Sequence, residues 1–504
     1  MSQTAKRNHI VVNINGETLC VRGDEAFQPL AQFLRNVLNK VGTKVVCAEG
    51  DCGACTVLAS SLENSKWSSF RAINSCIAPV FLFDQAVLVT VEGVRTQEAL
   101  SEVQEKMREF HGGQCGFCTP GMICSMSQLA EDCAKDQTEV TEKKARNYLT
   151  GNLCRCTGYE PILNAATHIE LPKWVSLASR YLTETLKTEF QALDGDVEIQ
   201  GENRILSIPT TLASALAIKA ARPQVRIVAG ATDLGVVVNK GKMILSEVLV
   251  LNKVAELRKL ESSATQDFIG AQVTLSEVET FIRDVHPELK RLLHIFASPQ
   301  IKNQATLLGN ILNGSPIGDS IPALMALEAE IQFASTKGTR SVPLKRFYKG
   351  YKVFDKTDDE IAVGLAIPAL TKPGNQQFWL HKFFKVSMRK DLDISAVTFA
   401  AVIKMDNNHI AEARLAMGGI GPCVIRLTEL EQKLQGKTFE LQTFEEAGVL
   451  AASLITPISD LRASQEYRRL VTANLFKKCF HELSVEMNPS GKSSDKSKAE
   501  AVCP

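Results

Sequence analysis

Cys47-Ala-Glu-Gly-Asp-Cys52-Gly-Ala-Cys55 brings three cysteines into one short loop, and a fourth, Cys76, follows from a separate segment. The spacing C-x4-C-x2-C with one distant cysteine is typical of plant-type [2Fe–2S] ferredoxins, in which four thiolates hold two irons. The two glycines of the loop allow positive φ angles, so its N–H groups can turn towards a cluster. A zinc site is the alternative, but zinc ligands usually arrive as two short pairs. We therefore predict iron–sulfur ligation by these four cysteines, the first thiol set.

A second thiol set joins Cys115-Gly-Phe-Cys118 to Cys154-Arg-Cys156. Its spacing alone leaves open whether it holds a cluster or a zinc ion, because both can use four cysteines. Both pairs lie at the ends of predicted helices, where a helix N-terminus stabilises the negative charge of a thiolate-ligated cluster. This context favours a second iron–sulfur cluster.

Composition indicates the compartment and excludes several partners. A net charge of +1 predicts no polyanion partner, so nucleic acid binding is not expected. No apolar run reaches the roughly 18 residues of a membrane span, and no signal-peptide pattern opens the sequence. We expect a cytoplasmic protein, in which clustered cysteines are metal ligands more often than disulfides. Cys20, Cys124 and Cys133, outside the two sets, are predicted to pack in the core.

The remaining pattern changes along the chain. A β-hairpin is predicted around Asn15-Gly16, a type I′ turn signal between alternating apolar residues. Helical periodicity follows up to about residue 167, and a connector at 168–192 separates it from an α/β pattern. A length of 504 residues fits about three or four domains. The tail 488–504 is expected to be disordered because it has little apolar surface to bury.

Two strings in the α/β region suggest a nucleotide-like ligand. Val228-Ala-Gly-Ala-Thr-Asp-Leu234 follows a predicted strand, and its small residues would let backbone N–H groups approach a pyrophosphate. It is not G-x-G-x-x-G, so a Rossmann site is not supported, and taken alone it fits a simple strand-to-helix turn better. Thr306-Leu-Leu-Gly-Asn310 and Ser315-Pro-Ile-Gly-Asp319 add a polar turn suited to a ribityl chain and phosphates.

Together these strings and both thiol sets resemble the iron–sulfur and flavin parts of the molybdenum hydroxylases, the family of xanthine dehydrogenases and aldehyde oxidases. The resemblance implies an α+β multidomain protein. Its modules would be a ferredoxin-like β-grasp domain at 7–94, a four-helix [2Fe-2S] domain at 95–167, a linker at 168–192, an α/β FAD-binding domain of the vanillyl-alcohol-oxidase type at 193–372, an α+β C-terminal flavoprotein domain at 376–487, and the tail at 488–504.

The resemblance also implies site residues. The FAD pyrophosphate would be lined by Ile227, Val228, Ala229, Gly230, Ala231, Thr232, Asp233 and Leu234. Thr306, Gly309, Asn310 and Asp319 would contact the ribityl and adenosine parts. Phe296 would pack against the isoalloxazine, with an ordinary core role as an equal alternative. Leu308 and Ala231 replace residues that are glycine and asparagine in many family members. The second thiol set would lie nearest the molybdenum, and Gln114 would face its pterin.

The family's reaction needs a molybdopterin domain, for which this sequence has no counterpart. We therefore expect a molybdopterin-containing large subunit as partner, in a heterotetramer. Two [2Fe-2S] clusters and FAD would carry electrons from purine oxidation, hypoxanthine and xanthine to urate, on to NAD, and no acid–base residue is expected on this chain. The alternatives are the same subunit in an aldehyde or N-heterocycle hydroxylase, and a zinc-stabilised binding module without redox function.

Overall fold

A six-stranded sheet surrounds the first thiol loop at the N-terminal end of the computed structural model, which describes residues 6–63, 65–96, 98–193, 195–282, 286–370, 377–389 and 392–487. The strand order is β2-β1-β6-β3-β4, with β5 paired to β3 and β1 parallel to β6. Asn15 and Gly16 have φ angles of 55° and 93°, so the type I′ hairpin is confirmed. The elements are β1 Ile10–Ile14, β2 Glu17–Val21, α1 Leu30–Gln32 (continued by a wide turn, Phe33–Val37), β3 Thr56–Glu63, β4 Lys66–Trp67, β5 Arg71–Asn74, β6 Ala86–Val89 and α2 Val91–Val94.

The cysteines outside the two thiol sets divide by position in the fold. Cys124 and Cys133 are buried on a helix, as predicted. The prediction that Cys20 packs in the core is wrong, because Cys20 is exposed on β2, the edge strand of the sheet. Alternation along the strand turns Val21 inward and Cys20 outward.

Four helices carry the second thiol set and confirm the predicted helical module. Their apolar faces enclose one core that includes Met122, Met126, Leu129 and Ala145. These helices are α3 Glu102–Glu109, α4 Thr119–Lys135, α5 Glu142–Leu149 and α6 Glu160–Thr167.

The predicted connector contains two further helices, α7 Leu177–Tyr181 and α8 Glu184–Gln191. Glu131 of α4 anchors it, because its buried carboxylate accepts four hydrogen bonds of 2.7–2.9 Å. The four donors are the indole of Trp174, the hydroxyl of Ser176 and the backbone N–H groups of Leu177 and Ala178. This segment is therefore fixed to the helical module.

We expect Glu131→Gln to lower the free energy of unfolding by about 2 kcal/mol. The new amide turns its own N–H groups towards backbone donors that cannot move away. Urea denaturation would measure the change, with Glu142→Gln on exposed α5 as the control, for which we expect less than about 0.5 kcal/mol. Equal effects of the two substitutions would refute the anchoring role of Glu131.

The next region contains two main sheets and the helices that pack on them. The first sheet has the order β7-β8-β10-β9, in which β8, β10 and β9 are parallel, and it shares an apolar core with the N-terminal sheet. The second has the order β11-β12-β17-β13-β14. The elements are β7 Val197–Gln200, β8 Ile205–Ile208, α9 Leu212–Ala221, β9 Arg226–Val228, α10 Leu234–Asn239, β10 Glu247–Val250, β11 Leu260–Ser262, β12 Gln266–Gly270, α11 Leu275–Phe281, α12 Pro287–Ile295, α13 Pro299–Lys302, α14 Leu307–Asn313, α15 Ser320–Ala326, β13 Glu330–Ser335, β14 Gly338–Pro343, α16 Leu344–Phe347, β15 Tyr348–Gly350, β16 Val353–Phe354 and β17 Ile361–Pro368.

An antiparallel four-stranded sheet and three helices form the C-terminal region. Ala400 and Val402 of this sheet also enter the core of the preceding region, so the two pack closely. The elements are β18 Gln377–Val386, β19 Val397–Asp406, β20 His409–Gly418, β21 Ile425–Arg426, α17 Thr428–Leu434, α18 Leu441–Leu454 and α19 Gln465–Met487. Every helix within the described ranges is too short or too polar to cross a membrane. The predicted disorder of 488–504 concerns residues outside the described ranges.

The architecture confirms the predicted α+β multidomain class. The domain boundaries given above remain predictions. Shared cores between neighbouring modules nevertheless fix how the thiol loops and the α/β region meet.

Candidate functional site

The structure brings the four cysteines of the first thiol set together. The sulfur of Cys47 lies close enough to those of Cys52 and Cys76 to shift its pKa, and the sulfur of Cys55 lies similarly close to that of Cys76. Cys55 and Cys76 are buried, whereas Cys47 and Cys52 are partly exposed. Hydrogen bonds from Cys52 and Cys76 hold the pKa of Cys47 well below its ordinary value. A thiolate is therefore favoured at this position, as metal ligation requires.

Positive φ angles curl the loop that carries these sulfurs. Ala48, Gly50 and Gly53 have φ angles of 56°, 80° and 67°. The backbone N–H of Glu49 lies 3.4 Å from the sulfur of Cys47 and donates to it. The loop thus directs N–H groups towards its sulfurs, as its glycines predicted.

The second thiol set is also assembled, at the surface of the helical module. Sulfur–sulfur distances are 3.5 Å for Cys115 and Cys156 and 3.9 Å for Cys154 and Cys156, and Cys118 contacts Cys154. Cys115 and Cys156 are exposed, and Cys118 directly precedes α4. Burial opposes ionisation of Cys154, but hydrogen bonds from Thr157 outweigh it and lower the pKa of this thiol to about 7.

The two thiol loops touch. The N–H of Leu153, next to Cys154, donates to the carbonyl of Cys52 at 2.9 Å. The Asn152 amide donates to the carbonyl of Gly53 at 3.0 Å. A β-carbon on Gly53 would lie only 2.3 Å from the carbonyl oxygen of Gly151, so the two backbones are in direct contact.

A buried amide network ties this contact to the α/β region. The Gln300 amide, on α13, donates to Asn152 at 2.8 Å and to Ser125 at 3.2 Å. Ser125 in turn donates to Asn152 at 2.7 Å, and all three residues are at most 2% exposed. Three parts of the chain therefore meet at one polar junction beside the thiol loops.

The donor chemistry of both sets fits iron–sulfur clusters. Each set gathers four thiols, the ligands of a [2Fe–2S] centre, on loops with inward N–H groups or at a helix start. Among the described residues, no group of three or more His, Cys, Asp or Glu side chains is arranged so that it could hold a metal ion. The assignment of clusters therefore rests on the donor sets, their spacing and their pairwise sulfur contacts.

The first predicted flavin string lies against the residues that directly precede the second. Residues 229–233, the flavin turn, connect β9 to α10, and Ala231 has a φ angle of 56° and is buried. A β-carbon on Gly230 would lie 1.9 Å from the carbonyl oxygen of Gln304, so only glycine fits this contact. The side-chain amide atoms of Gln304 are buried without a hydrogen-bond partner in the described part of the chain. A polar ligand such as FAD would fit this cradle.

The second string forms a polar cluster at the start of two helices. The buried Thr306 hydroxyl accepts from the N–H of Gly309 at 3.0 Å, capping α14. Asn310 accepts from Ser320 at 2.7 Å, which joins α14 to α15. Asp319, directly before α15, lies beside this contact and is 6% exposed.

Two residues of the C-terminal region complete this cluster. Asp319 accepts hydrogen bonds from the Lys385 ammonium and the Ser395 hydroxyl, both at 2.5 Å. The side chains of Lys385 and Asp319 are 3% and 6% exposed, so the ion pair is buried. The sequence assigned no role to Lys385, although a lysine within the apolar run Phe383–Val386 was an available signal.

Other predicted residues lie outside these contacts. Phe296 is partly buried and packs against the largest apolar core. Leu308 is buried in the same core. Gln114 is exposed next to Cys115. A cleft of about 700 Å³, between the helical module and α11–α13, has none of the predicted FAD residues in its lining.

Comparisons with known families match most of the chain in four segments. Residues 12–80 match a 2Fe-2S iron-sulfur cluster binding domain, and residues 90–167 a [2Fe-2S] binding domain. Residues 197–370 match the FAD binding domain in molybdopterin dehydrogenase. Residues 382–483 match the CO dehydrogenase flavoprotein C-terminal domain. These matches and the observed sites define an iron–sulfur flavoprotein.

Relatives support the same class. Xanthine dehydrogenase of Drosophila subobscura is 29% identical over 96% of this chain, and xanthine dehydrogenase/oxidase of Gallus gallus is 28% identical over 94%. The chain spans 40% of the length of each of these relatives. The four matched domains and these relatives fit the iron–sulfur and FAD-binding part of a molybdenum hydroxylase.

Solved structures share the fold over about half of the chain. Quinoline 2-oxidoreductase from Pseudomonas putida 86 superimposes with a TM-score of 0.51 at 25% identity, covering 55% of this chain and 96% of the other. Carbon monoxide dehydrogenase from Hydrogenophaga pseudoflava gives a TM-score of 0.52 at 21% identity, covering 56% and 96%. The latter likeness concerns the fold alone.

Proposed function

We propose that this chain is the electron-transfer subunit of a xanthine dehydrogenase. The first and second thiol sets would each hold a [2Fe-2S] cluster, and the flavin turn with the α14–α15 cluster would hold FAD. The observation that carries the proposal is that the two thiol loops touch, through the Leu153–Cys52 hydrogen bond, and that Val236 and Ile301 of the α/β region pack against the first set. Such a row of neighbouring sites suits stepwise electron transfer.

The two thiol sets differ in burial, and this difference supports a direction for electron transfer. Cys115 and Cys156 of the second set are exposed, and Phe117 between the first pair is 59% exposed. An exposed apolar side chain beside an accessible cluster would suit docking of a molybdopterin-containing large subunit, with Gln114 towards the pterin. Cys55 and Cys76 of the first set are instead covered by Val236 and Ile301 of the flavin region. Electrons would enter at the second set and leave through the first.

The protein would supply spacing, burial and hydrogen bonds to these centres. When bound, the clusters provide one-electron steps and FAD joins them to a two-electron acceptor, which we propose is NAD. The residues proposed for FAD are 227–234, Phe296, Thr306, Gly309, Asn310 and Asp319, to which the structure adds Lys385 and Gln304 as neighbours. Cytoplasmic location and assembly into a heterotetramer belong to the same proposal.

The substrate proposal rests on the relatives. Those named xanthine dehydrogenase in animals and plants match 93–97% of the chain at 28–29% identity. Hypoxanthine and xanthine are therefore the proposed substrates of the complete enzyme. The likeness to quinoline 2-oxidoreductase supports a second candidate, the same subunit in an N-heterocycle hydroxylase. Reconstitution with the molybdopterin partner and assay of NAD reduction with xanthine, quinoline and an aldehyde would distinguish them. Activity only with quinoline would overturn the purine assignment.

We expect the purified chain to be coloured, with about four irons, one FAD and two distinguishable EPR signals after reduction. Cys115→Ser should remove one signal and leave the other, because each thiol set holds its own cluster. Cys20→Ser, an exposed cysteine outside both sets, is the control and should leave both signals. A colourless, zinc-containing protein would contradict the redox function. Survival of both signals in Cys115→Ser would contradict the ligand assignment.

A further inference from the structure

The helix that follows the flavin turn ends on the first thiol loop. Asn239, the last residue of α10, donates from its side-chain amide to the carbonyl of Ala48 at 2.9 Å and to that of Cys76 at 2.8 Å. The two carbonyls flank the first set, since Ala48 follows Cys47 directly. One side chain thus holds both segments that supply thiols.

The same helix makes a second close contact, with the segment that carries Cys76. A β-carbon on Gly235, one turn before Asn239, would lie 2.0 Å from the carbonyl oxygen of Ile77. Val236 packs on the small apolar cluster that contains Cys55 and Cys76. Gly235 and Asn239 are four residues apart, so they lie on one face of the helix. The face that meets the thiol loop therefore starts directly after the flavin turn.

We propose that Asn239 and Gly235 are positioning residues that set the distance between the first cluster and the flavin. The inference rests on the proposed function, because it assigns these residues to the step in which one electron leaves the first cluster and one is gained by FAD. Neither residue touches a sulfur. They hold α10, and hence the flavin turn that precedes it, against the segment that contains Cys76.

The geometry makes this step sensitive to both residues. The rate of electron tunnelling falls exponentially with distance, so a displacement of the flavin turn away from the first thiol set slows the step. Loss of the Asn239 amide would free two partly buried carbonyls, those of Ala48 and Cys76, and a methyl group at position 235 would push the helix away from Ile77. An exposed ion pair, Lys240 with Glu49 at 3.1 Å, also spans this interface but is about 40% exposed at both ends. It should contribute little.

The test compares Asn239→Leu, Asn239→Asp and Gly235→Ala with the control Lys240→Gln, each in the full chain loaded with both clusters and FAD. Leucine and aspartate are close in size to asparagine and lack its N–H donors. A flash-generated deazariboflavin radical donates one electron to the exposed cluster, and the flavin absorbance then reports its arrival. Iron and FAD content, the EPR spectrum of each cluster and the reduction potentials are measured on the same samples.

We expect the three variants to slow cluster-to-flavin transfer several-fold, with cofactor content, EPR spectra and potentials unchanged, and Lys240→Gln to match the wild type. An unchanged rate in fully loaded variants would overturn the inference. Loss of iron from both Asn239 variants, or a shift in potential that accounts for the slower rate, would also overturn it and assign a folding or tuning role. Absence of clusters or FAD in the wild type would instead refute the proposed function itself.

Discussion

Lys385→Met is expected to lower the free energy of unfolding by about 3–5 kcal/mol and to reduce FAD content. Lys385 and Asp319 form a buried ion pair at 2.5 Å that joins β18 to the start of α15. Removing the lysine leaves the Asp319 carboxylate buried and without its ion-pair partner. The carboxylate then keeps the hydrogen bond from the neutral Ser395 hydroxyl. Because Asp319 is a proposed FAD contact, its displacement should weaken flavin binding as well. Urea denaturation and flavin absorbance of the purified variant would measure the two effects.

A double variant separates charge from packing in this pair. Replacing both partners, Lys385→Met with Asp319→Leu, should recover much of the lost stability, since buried apolar pairs can replace buried ions at little cost. FAD content should stay low, because the polar group is gone. Lys433→Met, in an ion pair with Glu429 that is more than half exposed at both ends, is the control and should cost less than about 1 kcal/mol. A Lys385→Met variant no less stable than this control would contradict the burial argument.

The sequence was most informative where the chemistry is local. The spacing of the cysteines grouped them into two sets that the structure assembles, and Asn15-Gly16 specified its hairpin. Small residues at 229–233 predicted a turn that a pyrophosphate could approach closely, which stays a prediction, and Gly230 packs against the backbone of Gln304. In each case a residue type with few alternatives recurs at a fixed short spacing.

Long-range contacts could not be predicted in this way. Asn239 meets Ala48 from 191 residues away, and Gln300 meets Asn152 from 148. An isolated amide has no spacing signal, and asparagine and glutamine are common on surfaces, so only the fold shows what they bind. Cys20 illustrates the converse, since its strand was predicted but the exposed edge position of that strand was not. The cofactor loops were therefore predictable, whereas the residues that hold them together were not.

Gly53→Ala should destabilise the chain by about 3 kcal/mol and lower its iron content. The φ angle of 67° costs a non-glycine residue about 1–2 kcal/mol, and overpacking adds about 1–3 kcal/mol. The new methyl group would lie 2.3 Å from the carbonyl oxygen of Gly151 and 2.7 Å from the Asn152 amide. The Asn152 amide is held by Ser125 and Gln300 in a buried network, so it cannot yield without breaking hydrogen bonds.

Gly23→Ala isolates the backbone contribution to this effect. Gly23 also has a positive φ, 53°, but a β-carbon there would have no neighbour within 4 Å. It should cost only about 1 kcal/mol and leave the iron content unchanged. The additional loss of stability in Gly53→Ala then measures the contribution of the contact between the thiol loops. Both EPR signals should weaken together, because Gly53 follows Cys52 while Gly151 and Asn152 precede Cys154. Urea denaturation and iron analysis of both variants would measure these effects. If Gly53→Ala has the same denaturation midpoint and iron content as Gly23→Ala, the two loops do not depend on this contact. The proposed direct connection between the two clusters would then have no structural basis.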